Sequence, residues 1–256
     1  MGIIAITGSA SGIGAAIRAR LERLGDRVIG IDLRDAEVVA DLSEPEGRAA
    51  AVTGVTRACD GALDGLVVCA GIGPQVEPLS AIVSVNYFGA AVVLEGLRSV
   101  LAAAARPAAV AISSNSAPIT PGVDGPLAEA CLAGDEAEAR RIAGTLAGPI
   151  VYAGAKLALT RLVRRHAPGT EWAGAGIRLN AVAPGPVLTP LLQGGLDHPE
   201  LGPAIRGFPV PLGGFGAPEQ VAAAVAFLLG PDAAFCCGVV LFVDGGTDAL
   251  LRPDAF

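Results

Sequence analysis

The chain has 256 residues, 52% of them hydrophobic and only 17% charged, with a formal net charge of −7. That length can bury a large core, and so much apolar sequence excludes a disordered chain. With 18 Lys+Arg against 25 Asp+Glu there is no basic surplus to neutralise phosphates, which argues against nucleic acid and anionic membrane as partners.

A mean hydropathy of +0.56 invites a membrane reading, and the order of residues removes it. The longest uncharged stretch, residues 179–196, carries Pro184, Pro186 and Pro190 and cannot be one spanning helix. Residues 78–94 are also uncharged but contain Asn86 and Gly89. No signal peptide is expected, since the first apolar run is too short, and Ile6 stands where a myristoylation motif after Gly2 needs Ser or Thr. The default is a cytoplasmic protein. The five cysteines, Cys59, Cys69, Cys131, Cys236 and Cys237, include no C-x-x-C, and His166 and His198 are the only histidines. Reduced thiols and no metal site are expected.

In chain order, short β-rich runs alternate with longer alanine-rich ones. Strands are expected over 3–7, 28–32, 38–40, 66–69, 110–113, 178–182 and 239–243. Helices are expected over 12–24, 44–57, 152–166 and 218–229, with 80–105 mostly helical and broken near Asn86. Unbroken apolar strands alternating with helices predict α/β architecture: a doubly wound parallel sheet with helices on both faces. No repeat or linker divides the chain, so 1–256 reads as one domain. Residues 117–149 depart from the rhythm, with a proline- and glycine-rich start and a charged helical stretch over 129–141. An interface or a lid is the expectation there.

The first strand runs into Thr7-Gly8-Ser9-Ala10-Ser11-Gly12-Ile13-Gly14. A glycine-rich turn opening a helix lets backbone N–H groups approach a pyrophosphate. Asp32 ends the second strand, 24 residues after Gly8, where a carboxylate would accept hydrogen bonds from a ribose and repel a 2′-phosphate. The turn itself carries no cation, although Arg34 lies two residues beyond Asp32. NAD is therefore favoured over NADP. Tyr152 and Lys156 share a helix face at i and i+4, so the ammonium can stabilise a phenolate. Ser113 and Ser114 close an apolar strand, at the edge where open α/β sheets bind ligands.

Thr7-Gly8-x-x-x-Gly12-x-Gly14, Cys69-Ala70-Gly71, Asn86, Ser114, Tyr152-x-x-x-Lys156 and Pro184-Gly185 together resemble the motifs of the short-chain dehydrogenases/reductases, in that family's order and over essentially the whole chain. The resemblance implies a seven-stranded Rossmann sheet and a tetrad of Asn86, Ser114, Tyr152 and Lys156. Tyr152 would be the general acid/base, and Ser114 would bind the reacting oxygen. Lys156 would hold the nicotinamide ribose and lower the tyrosine pKa, and Asn86 would support a water leading to that lysine. Cofactor contacts would come from Gly8, Ser11, Gly12, Ile13, Gly14, Asp32, Leu33, Asp41, Leu42, Ala70, Gly71, Pro184, Val187 and Thr189, besides Tyr152 and Lys156.

Two features depart from the family pattern. Cys69 replaces the usual Asn, which puts an adenine-side contact in doubt, and 38 residues separate Ser114 from Tyr152 where about a dozen is usual. The long insertion and the end of the chain, Val243-Asp244-Gly245-Gly246 and then Arg252-Pro253, resemble a bacterial subgroup, the 3α-hydroxysteroid dehydrogenase/carbonyl reductases. In that subgroup the insertion covers the usual dimer face. A homodimer or homotetramer built on another face is expected, with a hydroxysteroid or similar apolar alcohol or ketone as substrate.

Other residues leave two readings open. The run from Pro186 to Leu192 is a lid over an apolar substrate or a packed short helix. Trp172 lies in the core or at its rim, and Asp244-Gly245-Gly246 is a turn near the cofactor or an interface. Cys69 reads as a small hydrophobe, Cys236 and Cys237 as packing or interface residues, and both histidines as surface residues. A competing reading is another aliphatic or aromatic carbonyl as substrate. A more distant one is a non-catalytic dinucleotide-binding regulator, which the presence of both Tyr152 and Lys156 disfavours.

Overall fold

The computed structural model describes residues 2–255, so Met1 and Phe256, the ends of the expected 1–256 domain, lie outside it. Seven strands, β1 (Ile3–Thr7), β2 (Arg27–Asp32), β3 (Val38–Val39), β4 (Gly65–Val68), β5 (Ala108–Ile112), β6 (Arg178–Pro184) and β7 (Val240–Val243), form one sheet in the order β3-β2-β1-β4-β5-β6-β7. Every pairing is parallel. The order reverses between β1 and β4, which opens a crevice at the carboxyl ends of the strands.

Side-chain alternation along β1 separates the two faces of the sheet. Ala5 joins a core with Ile29, Leu66, Leu94 and Leu159, under the helices Pro45–Ala58, Ala90–Gly96 and Gly148–His166. Ile4 and Ile6 join a second core with Ile17, Val110, Val182 and Leu228, under the packed helices Gly12–Arg23 and Pro218–Leu229. Each fully buried Leu or Ile contributes about 1.5–3 kcal/mol of transfer free energy, so this pattern selects the fold. Five α-helices among the described residues begin with proline at the first or second position, where its missing N–H is not needed.

Several expected bounds shift. The helix bearing Tyr152 begins at Gly148, a turn earlier than expected. The helical region near Asn86 is two α-segments, Leu79–Val83 and Ala90–Gly96, joined by a π-helical turn over Ser84–Gly89, and Arg98–Ala102 follows. Among the described residues Leu79–Gly96 is long and apolar enough to cross a membrane; 56% of it is buried in this fold. The charged stretch expected over 129–141 is two helices, Pro126–Leu132 and Glu136–Ala143, because Gly134 adopts φ +76° and Asp135 caps the second by accepting the Glu138 N–H. Both pack inward: Leu127 meets the Gly148–His166 helix, and Ala139 and Ala143 are buried.

Candidate active site

The carboxyl ends of β1, β2, β4, β5 and β6 converge on a cavity of about 510 Å³. At its floor the Thr7 hydroxyl accepts the N–H groups of Cys69 and Ala70 at 2.9 and 3.0 Å, which ties β1 to the loop after β4. The glycine turn follows. A side chain at Gly14 would place Cβ 1.9 Å from the Gly8 carbonyl oxygen, and one at Gly8, where φ is +70°, would place it 2.8 Å from Ala70 Cα. Only hydrogen fits either place. Ser11 precedes the first helix with no side-chain cap and no acid in the first turn, so the N–H groups at Ile13 and Gly14 keep their partial positive charge for an anion. The Ser9 hydroxyl is buried without a partner. Asp32 rims the same cavity, its oxygens accepting the N–H groups of Ala10 and Leu33 at 2.9 and 2.7 Å. Ala40, Asp41 and Leu42 line the wall beyond it. These residues fit the adenosine and pyrophosphate of a dinucleotide.

A cation does lie beside the turn, though not in it. Arg18 on the first helix borders an open recess with Ser9 and Ala10. Glu37 takes the guanidinium in a two-pronged pair, Nη1 at 3.0 Å and Nη2 at 2.6 Å, and Arg18 in turn holds the Glu37 carboxyl below its usual range. Arg34 is exposed.

The reacting end gathers Ser114, Tyr152 and Lys156 around one wall of the cavity. The Ser114 hydroxyl accepts from Ser116 N at 3.1 Å and from Ser116 Oγ at 2.9 Å, and it lies on the same cavity wall as Tyr152. Ser113 turns away, its hydroxyl on Thr160 Oγ1 and the Lys156 carbonyl of the long helix. Lys156 is 4% exposed, and its ammonium donates to the Ile112 carbonyl at 2.7 Å. Burial lowers the amine to about 8. Burial raises the Tyr152 phenol above its ordinary value, against the lowering influence of the nearby Ser114 hydroxyl. The Lys156 ammonium is directed at a backbone carbonyl, and desolvation is the largest influence on the phenol. Cys69 packs beside both groups with its thiol pushed up to about 12 by burial, which fits a small hydrophobe rather than a nucleophile.

Asn86 alone among the expected site residues does not line the cavity. It is fully buried behind Gly71, its Oδ1 accepting Ile72 N at 2.8 Å and its Nδ2 donating to Ile72 O at 3.0 Å. Both ends of the carboxamide are committed to that loop. Pro184 ends β6, and the Thr189 hydroxyl caps Pro190–Asp197 by accepting Leu192 N at 3.2 Å, while Val187 is buried at the same rim. Two short helices, Pro190–Asp197 and Leu201–Arg206, stand over the cavity and line it with Leu191, Leu192, Ala204 and Ile205, so the apolar run is both helical and over the site. Pro74, Gln75, Thr120, Pro149 and Phe208 also line it and carry no spacing signal in the sequence. Asp244 packs on Gly185, which places the Asp244-Gly245-Gly246 turn near the cavity. Trp172 is buried in the first core, and both histidines lie outside the cavity.

The chain is 47% identical to the 3-alpha-hydroxysteroid dehydrogenase/carbonyl reductase of Comamonas testosteroni, over the full length of both. The chain belongs to the short-chain dehydrogenase/reductase family. The crystal structure of the 3-alpha-hydroxysteroid dehydrogenase from Pseudomonas sp. B-0831, complexed with NADH, is 51% identical and superposes with a TM-score of 0.96 over 99% of this chain and all of that one. A short-chain type dehydrogenase/reductase from Mycobacterium ulcerans, 25% identical, superposes at 0.74 over 99% of this chain and 94% of that one. Residues 137–248 match the family described as enoyl-(acyl carrier protein) reductase. As a short-chain dehydrogenase/reductase the protein is an oxidoreductase acting between alcohol and carbonyl, and the expected Rossmann sheet is borne out.

Proposed function

We propose that this short-chain dehydrogenase/reductase is an NAD(H)-dependent enzyme that interconverts a secondary alcohol and a ketone, with a 3α-hydroxysteroid and its 3-ketosteroid, or a similar apolar carbonyl compound, as substrate. The reading is carried by one arrangement: Tyr152, Ser114 and Lys156 open on the same cavity as the glycine turn and Asp32. NAD, when bound, supplies the acceptor or donor of hydride. Everything else falls to this chain. Ser114 Oγ orients the substrate oxygen and Tyr152 Oη takes or returns its proton. Lys156 holds the ribose beside them. Ile13 and Gly14 hold phosphate, and Asp41, Leu42, Ala70 and Gly71 flank the adenosine. Val187 and Thr189 hold the carboxamide end. The two short helices exclude water with an apolar wall, and that wall supports a rigid apolar substrate; the name of the Comamonas relative supports the steroid and leaves other carbonyls as the second choice.

Asp32 supports NAD over NADP, and Glu37 reinforces it by occupying Arg18. Asp32→Ala should narrow the ratio of kcat/KM for NAD over NADP, because it removes a charge that repels a 2′-phosphate. A wild-type protein that prefers NADPH contradicts this reading of Asp32.

We further infer one domain with residues 117–149 as an insertion, a cytoplasmic location, and a homodimer or homotetramer. Pro126–Leu132 packs on Gly148–His166 and Glu136–Ala143 on Leu79–Val83, which covers faces that would otherwise be open to a partner. The edge strand β7 is half-buried throughout, and Phe227 and Phe235 beside it are exposed, which favours association there. Phe227→Lys should lower the mass measured in solution towards one chain. A wild-type mass of one chain contradicts the oligomer.

A further inference from the structure

The inserted segment reaches the cofactor groove through one buried charge. Arg48, on the helix Pro45–Ala58, has a side chain only 4% exposed. Its Nη1 and Nη2 donate to Glu136 of the insertion at 2.6 and 2.7 Å. The same guanidinium donates from Nε to the Leu42 carbonyl at 2.8 Å and from Nη2 to the Ser43 and Ser84 carbonyls at 2.9 and 3.3 Å. The Ser84 hydroxyl donates to Glu136 Oε1 and accepts from Arg140 Nη1, both at 2.8 Å. Phe88 lies under the guanidinium, 5.9 Å from ring centre to Cζ.

These partners belong to the walls of the site. Leu42 and its neighbour Asp41 line the cavity at the end read as the adenine end. Leu42 also packs on the π-turn, where a Cβ at Gly89 would come within 3.1 Å of its own Cβ. Ser84 opens that π-turn, and Asn86 lies two residues on. A pair of this kind stabilises a fold little, because taking both charges from water offsets their attraction. Its geometric effect is larger: a rigid fork ties three carbonyls and a carboxylate to one another.

We propose that Arg48 and Glu136 are positioning residues through which the insertion sets the adenine wall at Asp41–Leu42 and the π-turn that carries Asn86, and so sets affinity for the dinucleotide. The proposal rests on the reading of that groove as the NAD site. On this view the insertion does more than cover a helix face. Unpairing Glu136 loosens the groove from behind, since Glu136 itself does not line the cavity.

The test is NADH affinity of the purified full-length protein, read by fluorescence of the bound nucleotide, beside thermal unfolding with and without NADH. Arg48→Lys keeps the charge and a bond to Glu136, but one ammonium cannot hold the three carbonyls as well. Kd for NADH should rise about tenfold, equivalent to about 1.4 kcal/mol. KM for the dinucleotide should rise with it, and by more than kcat falls. Glu138→Gln, on the same helix but in an exposed pair with Arg141, should leave Kd unchanged. If Arg48→Lys does not fold, Glu136→Gln, which keeps size and one acceptor oxygen, decides by the same criterion. A folded variant that melts lower but binds NADH with the wild-type Kd overturns the proposal and leaves the pair a purely structural contact. Failure of the wild-type protein to bind NADH overturns the dinucleotide reading instead.

Discussion

Tyr152→Phe is expected to lower kcat by about 10²–10⁴-fold, the range for removal of a general acid/base, with Kd for NADH close to wild type. The substitution deletes one hydroxyl at the cavity wall. It leaves the ring in place and does not touch Lys156, whose ammonium is held by the Ile112 carbonyl. No other side chain can take over. Cys69 lines the same cavity, but burial pushes its thiol up to about 12 and keeps it protonated. Ser114 can hold the substrate oxygen but is too weak an acid to replace the phenol. The same phenol fixes the sign of the pH dependence. Burial raises its pKa, so the fraction able to accept a proton rises with pH across the neutral range. Alcohol oxidation should therefore climb with pH, and ketone reduction, which needs the protonated form, should not. Steady-state kcat in both directions, with NADH binding measured on the same preparation, checks this. Near-normal turnover by Tyr152→Phe contradicts the assignment.

Gly14→Ala should weaken dinucleotide binding and lower turnover about a hundredfold, the cost in rate of misplacing a bound group by roughly 1 Å. The new Cβ would stand 1.9 Å from the Gly8 carbonyl oxygen and 2.7 Å from its carbon, so backbone must move. What moves is the turn whose N–H groups face the phosphates. A matched control is Gly144→Ala. Gly144 has an ordinary φ of −66°, and its Cβ would come no nearer than 3.5 Å to another atom. The control should bind NADH as wild type does. Equal affinity in both variants contradicts the placement of the pyrophosphate on this turn.

The parts of the fold that one face of a strand or helix decides were legible in the sequence. Ile4 and Ile6 point to one core and Ala5 to the other, and such alternation with 3.6-residue spacing on the helices carries the parallel sheet. Gly8, Gly14, Asp32, Tyr152 and Lys156 were legible because each answers a local demand: a close approach, a strand end, a shared helix face. Arg48 and Glu136 were not, since 88 residues separate them and neither stands in a motif. The same holds for Arg18 and Glu37. Their pairing depends on tertiary packing, and a sequence without a fold shows only two charges. The π-turn at Ser84–Gly89 was visible only as a break near Asn86, because one extra residue per turn leaves no mark in composition. The split of the insertion into two helices turned on Gly134, a single glycine in a charged run. The aim of the Lys156 ammonium was not legible either: i,i+4 spacing puts it on one face with Tyr152, but the Ile112 carbonyl decides where it points.

The most direct test of the proposed enzyme is a mixture of wild-type protein, NAD and a 3α-hydroxysteroid, followed by absorbance of the reduced nicotinamide and by identification of the steroid product. One NADH formed per 3-ketosteroid, with Tyr152→Phe silent under the same conditions, is the predicted result. Tight NADH binding with no turnover in either direction, across steroids, cyclic ketones and linear ketones alike, would contradict it and leave a dinucleotide-binding protein without an oxidoreductase activity.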